Sequence, residues 1–370
     1  MDVTDHKECP DLEGKGGHVG GHREDTGRIQ GRIHYTGQWK GNQRTSTTPG
    51  RPWKGLQETD KSGGPLSLPY TPPGVKGTVF SLWGNGLVVL VLYRSKKLRQ
   101  KPHNVLLLNM GLADILVTIA GYPFTTVSAF KGRYVFGDAI CAIQGFLTFL
   151  LAMVAMTSLV CLSLYRYVCV CKPWLKYRIT QRVSTQCVVV IWAYSAFWTG
   201  LPLIGWSRYT LETFGLSCSV DWASQREADI LYIYCLIIFC YLLPVAIMCL
   251  CYYKIVNRAT KLRYVQRKVL DIEEATKHHS LRTEVKLSSM CFIMVFFYTT
   301  VWSPYAFVSL WSVYDDVPVW ATTLPTMFAK LASTLNPYIY VIGNPDFRKS
   351  VSSVMRTVRN DNTVHPRREE

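Results

Sequence analysis

The sequence predicts an all-α membrane protein, a seven-transmembrane helix bundle followed by a short amphipathic helix on the cytoplasmic side. Three observations carry that prediction. From Gly77 onward, apolar stretches of near-bilayer length succeed one another over residues 77–93, 104–130, 139–170, 183–206, 230–255, 285–313 and 317–342. A helix needs roughly 20 such residues to cross a bilayer. The loops between them alternate between strongly basic and cation-poor. The last stretch ends in Gly343-Asn344-Pro345, where asparagine can cap a new helix and proline suits its first position.

Residues 1–76 are rich in Gly, Lys, Arg, Asp and Thr and have no apolar periodicity, the composition of a disordered segment. The first span is short, because Pro72-Pro73-Gly74 blocks helical extension upstream of it. Either that helix is truncated or residues 1–76 are not an authentic part of the functional protein. The second reading is taken here. Several later spans exceed one bilayer thickness, which tilt or cytoplasmic extension accommodates. The charged residues 256–284 have helical spacing and read as such extensions of the fifth and sixth helices. Residues 77–343 form the membrane domain and 344–370 the terminal helix and tail, with Phe347, Val351 and Val354 placed to lie along the membrane surface.

Charge sets the orientation. The first loop carries Arg94, Lys96, Lys97, Arg99 and Lys101, the third Lys172, Lys176, Arg178 and Arg182, and the fifth Lys254, Arg258, Lys261, Arg263, Arg267 and Lys268. The intervening loops are poor in cations and include Asp315-Asp316. The positive-inside rule places the odd-numbered loops and the C-terminus in the cytoplasm and the N-terminus outside. The net charge of +16 is thus topology and contact with anionic membrane lipid rather than nucleic-acid binding. No basic-aromatic interleaving or zinc spacing supports a nucleic-acid module. Of twelve cysteines most lie in the spans, where a free cysteine acts as a small hydrophobe. Cys141, at the outer start of the third span, and Cys218, in a long outer loop, are placed to pair in an oxidising compartment.

Lys330 is a lone cation in the apolar seventh stretch, more than a turn from either end. A charged amine at that depth costs roughly 3 kcal/mol on insertion scales and marks a functional site by default. Condensation with an aldehyde, with a carboxylate set against the product, removes the cost. The alternative, a snorkelling helix-end lysine, does not suit its central position.

Polar groups also recur at bilayer depth: Gly84-Asn85-Gly86, Leu112-Ala113-Asp114 and Asn336-Pro337-x-x-Tyr340. Tyr165-Arg166-Tyr167 ends the third span, Trp192 lies in the fourth, Pro244 in the fifth, and Trp302-Ser303-Pro304-Tyr305 in the sixth. This ordered set resembles the rhodopsin-like class of G-protein-coupled receptors over about residues 80–350. Within that class the chain resembles an opsin. Phe328-Ala329-Lys330 stands six residues before Asn336, and Glu212 stands six before Cys218, the spacings of the retinal-bearing lysine and of the acid in the outer plug loop. The resemblance is nearer to the non-visual encephalopsin- and neuropsin-like opsins than to rod and cone pigments.

The resemblance implies a light-sensing receptor, not an enzyme. Retinal, 11-cis or all-trans, would bind covalently at Lys330 as a Schiff base. The partners implied are a heterotrimeric G protein, arrestin and a receptor kinase, and the location is the plasma membrane. Vertebrate visual pigments place their counterion three residues after the staple cysteine, here the neutral Gln144, which leaves Glu212 as the candidate. Trp302 and Tyr305 are expected in the retinal pocket, with Phe149, Ala152 and Met153 on the opposite wall. Arg166 is expected to hold the resting state through Glu284, with Tyr252 and Tyr340 gripping a displaced sixth helix and Asp114, Asn85 and Asn336 forming a hydrated network. The residue before Arg166 is usually an acid in the family and is Tyr165 here, which predicts weaker locking in the dark. Two other readings remain open: a retinal photoisomerase with weak signalling, and a chemosensory receptor in which Lys330 meets an anionic ligand.

Overall fold

The computed structural model describes residues 73–266 and 272–364. The expected disordered segment lies, apart from residues 73–76, outside the described residues, as do Arg267 and Lys268. Helix α1 (Pro73–Arg94) begins on its proline, which costs nothing at a first helical position, where no intrahelical donor is needed. The helix has 22 residues; its apolar part, Gly77–Arg94, is 18 residues, long and apolar enough to cross a membrane though shorter than the usual span of roughly 20. After the short α2 (Lys96–Arg99) come α3 (Pro102–Lys131) and α4 (Gly137–Cys171). A 3₁₀ turn at Pro173–Arg178 leads into α5 (Gln181–Gly200), capped by Thr180, whose hydroxyl accepts from the Val183 N–H at 3.3 Å.

Strands β1 (Tyr209–Leu211) and β2 (Cys218–Val220) form an antiparallel hairpin in the loop that follows α5. The fifth span is continuous through α6 (Glu227–Cys235), a π-helical stretch (Leu236–Leu242) and α7 (Leu243–Gln266). Pro244 has no N–H for the carbonyl four residues earlier, and the turn before it widens. Helix α8 (Ile272–Trp311) and α7 both extend past the apolar core, as the charged spacing predicted. Helices α9 (Val319–Gly343) and α10 (Pro345–Val364) complete the chain.

Among the described residues, six helices are long and apolar enough to cross a membrane. The remaining helix of the bundle, α9, is less apolar because Lys330, Asn336, Pro325 and Pro337 lie inside it. Helix α4 occupies the centre, against α3, α5, α7 and α8. Leu159, Leu162, Met248 and Met294 are buried where these meet. At Gly84 an added Cβ would lie 2.8 Å from Pro337, so the glycine permits the close approach of α1 and α9. Asn344 caps α10 as expected, its Oδ1 accepting from the Phe347 N–H at 3.2 Å. Phe347 departs from expectation: it is fully buried against Tyr340, ring centroids 4.8 Å apart, and does not lie on the membrane surface. A large aromatic gains more by filling the gap between α9 and α10 than by facing headgroups.

Candidate functional site

A cavity of about 210 Å³ opens among α3, α4, α8 and α9 beneath the β1–β2 hairpin. Lys330, Glu212, Gln144, Trp302 and Tyr305 all line it, as do Phe149, Ala152 and Met153. The hairpin places the acid. Glu212 follows β1 directly, its N–H donates to Ser217 O at 2.9 Å, and Gly215, at φ +75°, closes the turn. The Cys141–Cys218 disulfide then ties β2 to α4. At Gly145 an added Cβ would meet the Tyr209 ring at 2.8 Å, so this glycine lets β1 settle on α4. The disulfide joins positions 77 residues apart, a separation for which loss of the bridge costs about 2–5 kcal/mol. Cys218→Ser is therefore expected to lower the melting temperature and loosen the plug; an unchanged melting curve would show that the hairpin holds without it.

Glu212 keeps part of its surface, which faces the cavity. Its Oε1 accepts from the Tyr305 hydroxyl at 3.1 Å and its Oε2 from the Thr326 hydroxyl at 3.2 Å. Burial pushes its carboxyl above the ordinary value, opposed by the Ser219, Tyr305 and Thr326 hydroxyls and the Lys330 charge. The Trp222 indole donates to Tyr305 at 3.0 Å, extending a chain of donors toward the acid. Gln144 is tied elsewhere: its Oε1 accepts from Tyr134 at 2.9 Å and its Nε2 donates to Gly121 O at 3.3 Å. Trp302 stands edge-on to Tyr305 with ring centroids 5.7 Å apart.

Inward from the cavity, Pro337 has no N–H, which frees the Ser333 carbonyl for another donor. Asn85 Nδ2 takes that place at 2.9 Å. Asn336 donates to Asp114 at 3.1 Å. Asn85 and Asp114 therefore share the region without a direct bond, Asn85 bonding the Ser81 and Ser333 carbonyls. Tyr340 donates to Asn104 at 3.1 Å.

At the end of the bundle opposite the hairpin Arg166, fully buried, meets Glu284 at 3.3 Å. Lys176 binds the other oxygen of Glu284 at 2.6 Å. The Tyr165 ring lies 5.1 Å from the Arg166 guanidinium carbon, and His103 packs against that ring at 5.3 Å. A cation–π contact thus stands where the family has an acid. Tyr252 is buried edge-on to Phe292.

Sequence reasoning missed Thr326, Trp222 and the role of Lys176. Thr326 was within reach, since it precedes Lys330 by one helical turn and shares its face. Nothing in the sequence ties Lys176 to Glu284, 108 residues away.

The arrangement is that of a seven-helix receptor: a cavity beneath a hairpin plug, and an ionic contact between the third and sixth spans at the opposite end. The family described as 7 transmembrane receptor (rhodopsin family) matches residues 84–340. Opsin-3 of Mus musculus is 33% identical over 74% of this chain and 67% of its own length, and Opsin-5 of Mus musculus 33% identical over 71% and 70%. The G0-coupled rhodopsin of Mizuhopecten yessoensis is 30% identical over 75% and 69%. The crystal structure of squid rhodopsin superposes with a TM-score of 0.70 at 27% identity, covering 76% of this chain and 83% of that one. The chain belongs to the opsins, light-sensing members of the rhodopsin family of seven-transmembrane receptors.

Proposed function

We propose that this opsin binds retinal covalently at Lys330 and activates a heterotrimeric G protein in the plasma membrane, with its N-terminus outside. One observation carries the reading: a lone lysine lines a largely apolar cavity that also holds an acid fastened by two hydroxyl donors. The residues suit the ligand. An elongated apolar aldehyde needs an apolar enclosure, one amine and one charge partner for the resulting cation. Joined to Lys330 as a Schiff base, retinal supplies visible absorption and a light-driven change of shape.

The chain's own residues do the rest. Lys330 supplies the nitrogen. Glu212 supplies the opposite charge, and Tyr305 and Thr326 hold its two oxygens so that it need not be drawn to bulk water. Trp302, one turn inward from Tyr305, transmits a change in cavity shape to α8, which Pro304 leaves free to bend. The resting state is held at the far end by Glu284 between Arg166 and Lys176. Outward movement of α8 separates those charges and opens the cytoplasmic face to the G protein, and then to arrestin and a receptor kinase.

The test is an absorption spectrum of the purified protein with 11-cis-retinal, followed by light-dependent nucleotide exchange on a G protein. A retinal-dependent band together with exchange supports the reading. A folded protein without a band overturns it, and a band with light-driven retinal release but no exchange indicates a photoisomerase. Tyr165→Asp is expected to lower nucleotide exchange in the dark, because a carboxylate restrains Arg166 more strongly than the ring face does. Equal dark activity in both proteins would remove Tyr165 from the account of locking.

A further inference from the structure

Tyr122 lies on α3 and faces the cavity. Its side chain is almost wholly buried, and its hydroxyl donates to the backbone carbonyl of Lys330 at 2.6 Å. The Ser333 hydroxyl lies 3.0 Å from the phenol and itself donates to the same carbonyl at 3.3 Å. The Lys330 carbonyl sits in the middle of α9, so the phenol pins the very turn from which the lysine projects. The same ring presents its face to the lysine: Nζ lies 5.9 Å from the ring centroid, within the range over which an aromatic face attracts a cation. Gln144, at the position where a carboxylate would otherwise stand, is neutral and committed to Tyr134 and Gly121. Glu212 is engaged by Tyr305 and Thr326.

We propose that Tyr122 is a positioning residue for the Lys330 nitrogen, its hydroxyl fixing the lysine's turn through the backbone carbonyl and its ring face attracting the positive charge on the nitrogen. The proposal rests on the reading of Lys330 as the attachment point for retinal. It divides the charge partners of the linkage in two, a full charge at Glu212 and a diffuse aromatic face at Tyr122. A neutral ring stabilises a cation without adding a second buried carboxylate, which would itself need a counter-charge.

The two parts of the tyrosine separate by substitution. Tyr122→Phe keeps the ring and removes the hydroxyl, whereas Tyr122→Met keeps volume and removes the ring. Each is incubated with 11-cis-retinal beside wild type, and the pH at which the visible band gives way to an ultraviolet band is recorded, with melting of the retinal-free protein as the control for folding. In Tyr122→Met this midpoint is expected to fall by about one pH unit. In Tyr122→Phe it stays close to wild type while the band forms roughly fivefold more slowly, the effect of losing one neutral hydrogen bond. A second readout needs no retinal. Reductive methylation of Lys330 by formaldehyde and a hydride donor, followed by mass spectrometry, is expected to run roughly tenfold faster in Tyr122→Met, because less of the amine is held as the cation. Midpoint and methylation rate both unchanged in Tyr122→Met would overturn the proposal, even if Tyr122→Phe fails to fold. No band in well-folded wild type would instead overturn the retinal reading, and the methylation rates would still report whether the ring acts on the amine.

Discussion

Lys330→Ala is expected to abolish the retinal-dependent absorption band and, at the same time, to raise the melting temperature of the retinal-free protein. The first effect follows from chemistry: Lys330 brings the amine to the cavity wall, and alanine has no nucleophile. The second follows from solvation. A lysine at membrane depth costs roughly 3 kcal/mol, which the retinal-free protein bears without the linkage that justifies it. Removing the amine leaves Glu212 without its charge partner, but the Tyr305 and Thr326 hydroxyls remain and the carboxyl can take up a proton. A net rise of a few degrees is the expected balance. Absorption spectra and melting curves of the two proteins check both parts. A band persisting in the alanine variant would move the attachment elsewhere, and a large loss of stability would make Lys330 a structural residue.

Glu212→Gln is expected to move the pH at which the visible band is lost downward by about 1–3 units, the effect of removing an opposite charge near a titrating cation. The sign follows from the pairing. The carboxylate favours the charged nitrogen, so the proton is held to higher pH when the carboxylate is present and lost sooner when it is absent. Glutamine preserves the shape of the side chain but keeps a single acceptor oxygen, so only one of the Tyr305 and Thr326 hydroxyls still finds an acceptor there. The retinal-free protein gives a second readout. Burial raises the Glu212 carboxyl above its ordinary value, so the folded state favours its protonated form. That contribution is present below the ordinary carboxylate range and is lost as pH rises through the raised value. The stability of wild type relative to Glu212→Gln should therefore decline over that interval. Identical spectral titrations in the two proteins would exclude Glu212 as the charge partner.

Helix number and order were legible because each depends on local information. Apolar run length and the Asn344-Pro345 cap operate over a few residues or one span. Lys330 was legible for the same reason, being the wrong residue for its surroundings. The first span illustrates the limit. Pro72-Pro73-Gly74 read as a barrier, yet Pro73 serves as a first helical residue, since proline blocks extension upstream of itself and not the helix that follows. Phe347 was read from its periodic face alone, and periodicity does not say which neighbour an apolar face will meet.

What no local pattern announces is the company each group keeps. Sequence alone determined that an amine lies in the seventh span, that an acid precedes Cys218 in the outer loop, and that Arg166 ends the third span. Only the tertiary structure brought Thr326 to the second oxygen of Glu212, the Tyr122 phenol to the Lys330 carbonyl, and Lys176 to Glu284, which Arg166 was already expected to meet. These pairs are separated by 114, 208 and 108 residues. They join groups of ordinary chemical type whose meeting depends on how the helices pack around α4 and how the disulfide seats the hairpin. Hydrophobic burial selects the spans without regard to partner. Hydrogen bonds and charge pairs, which need ångström-scale placement, exist only once that packing is complete.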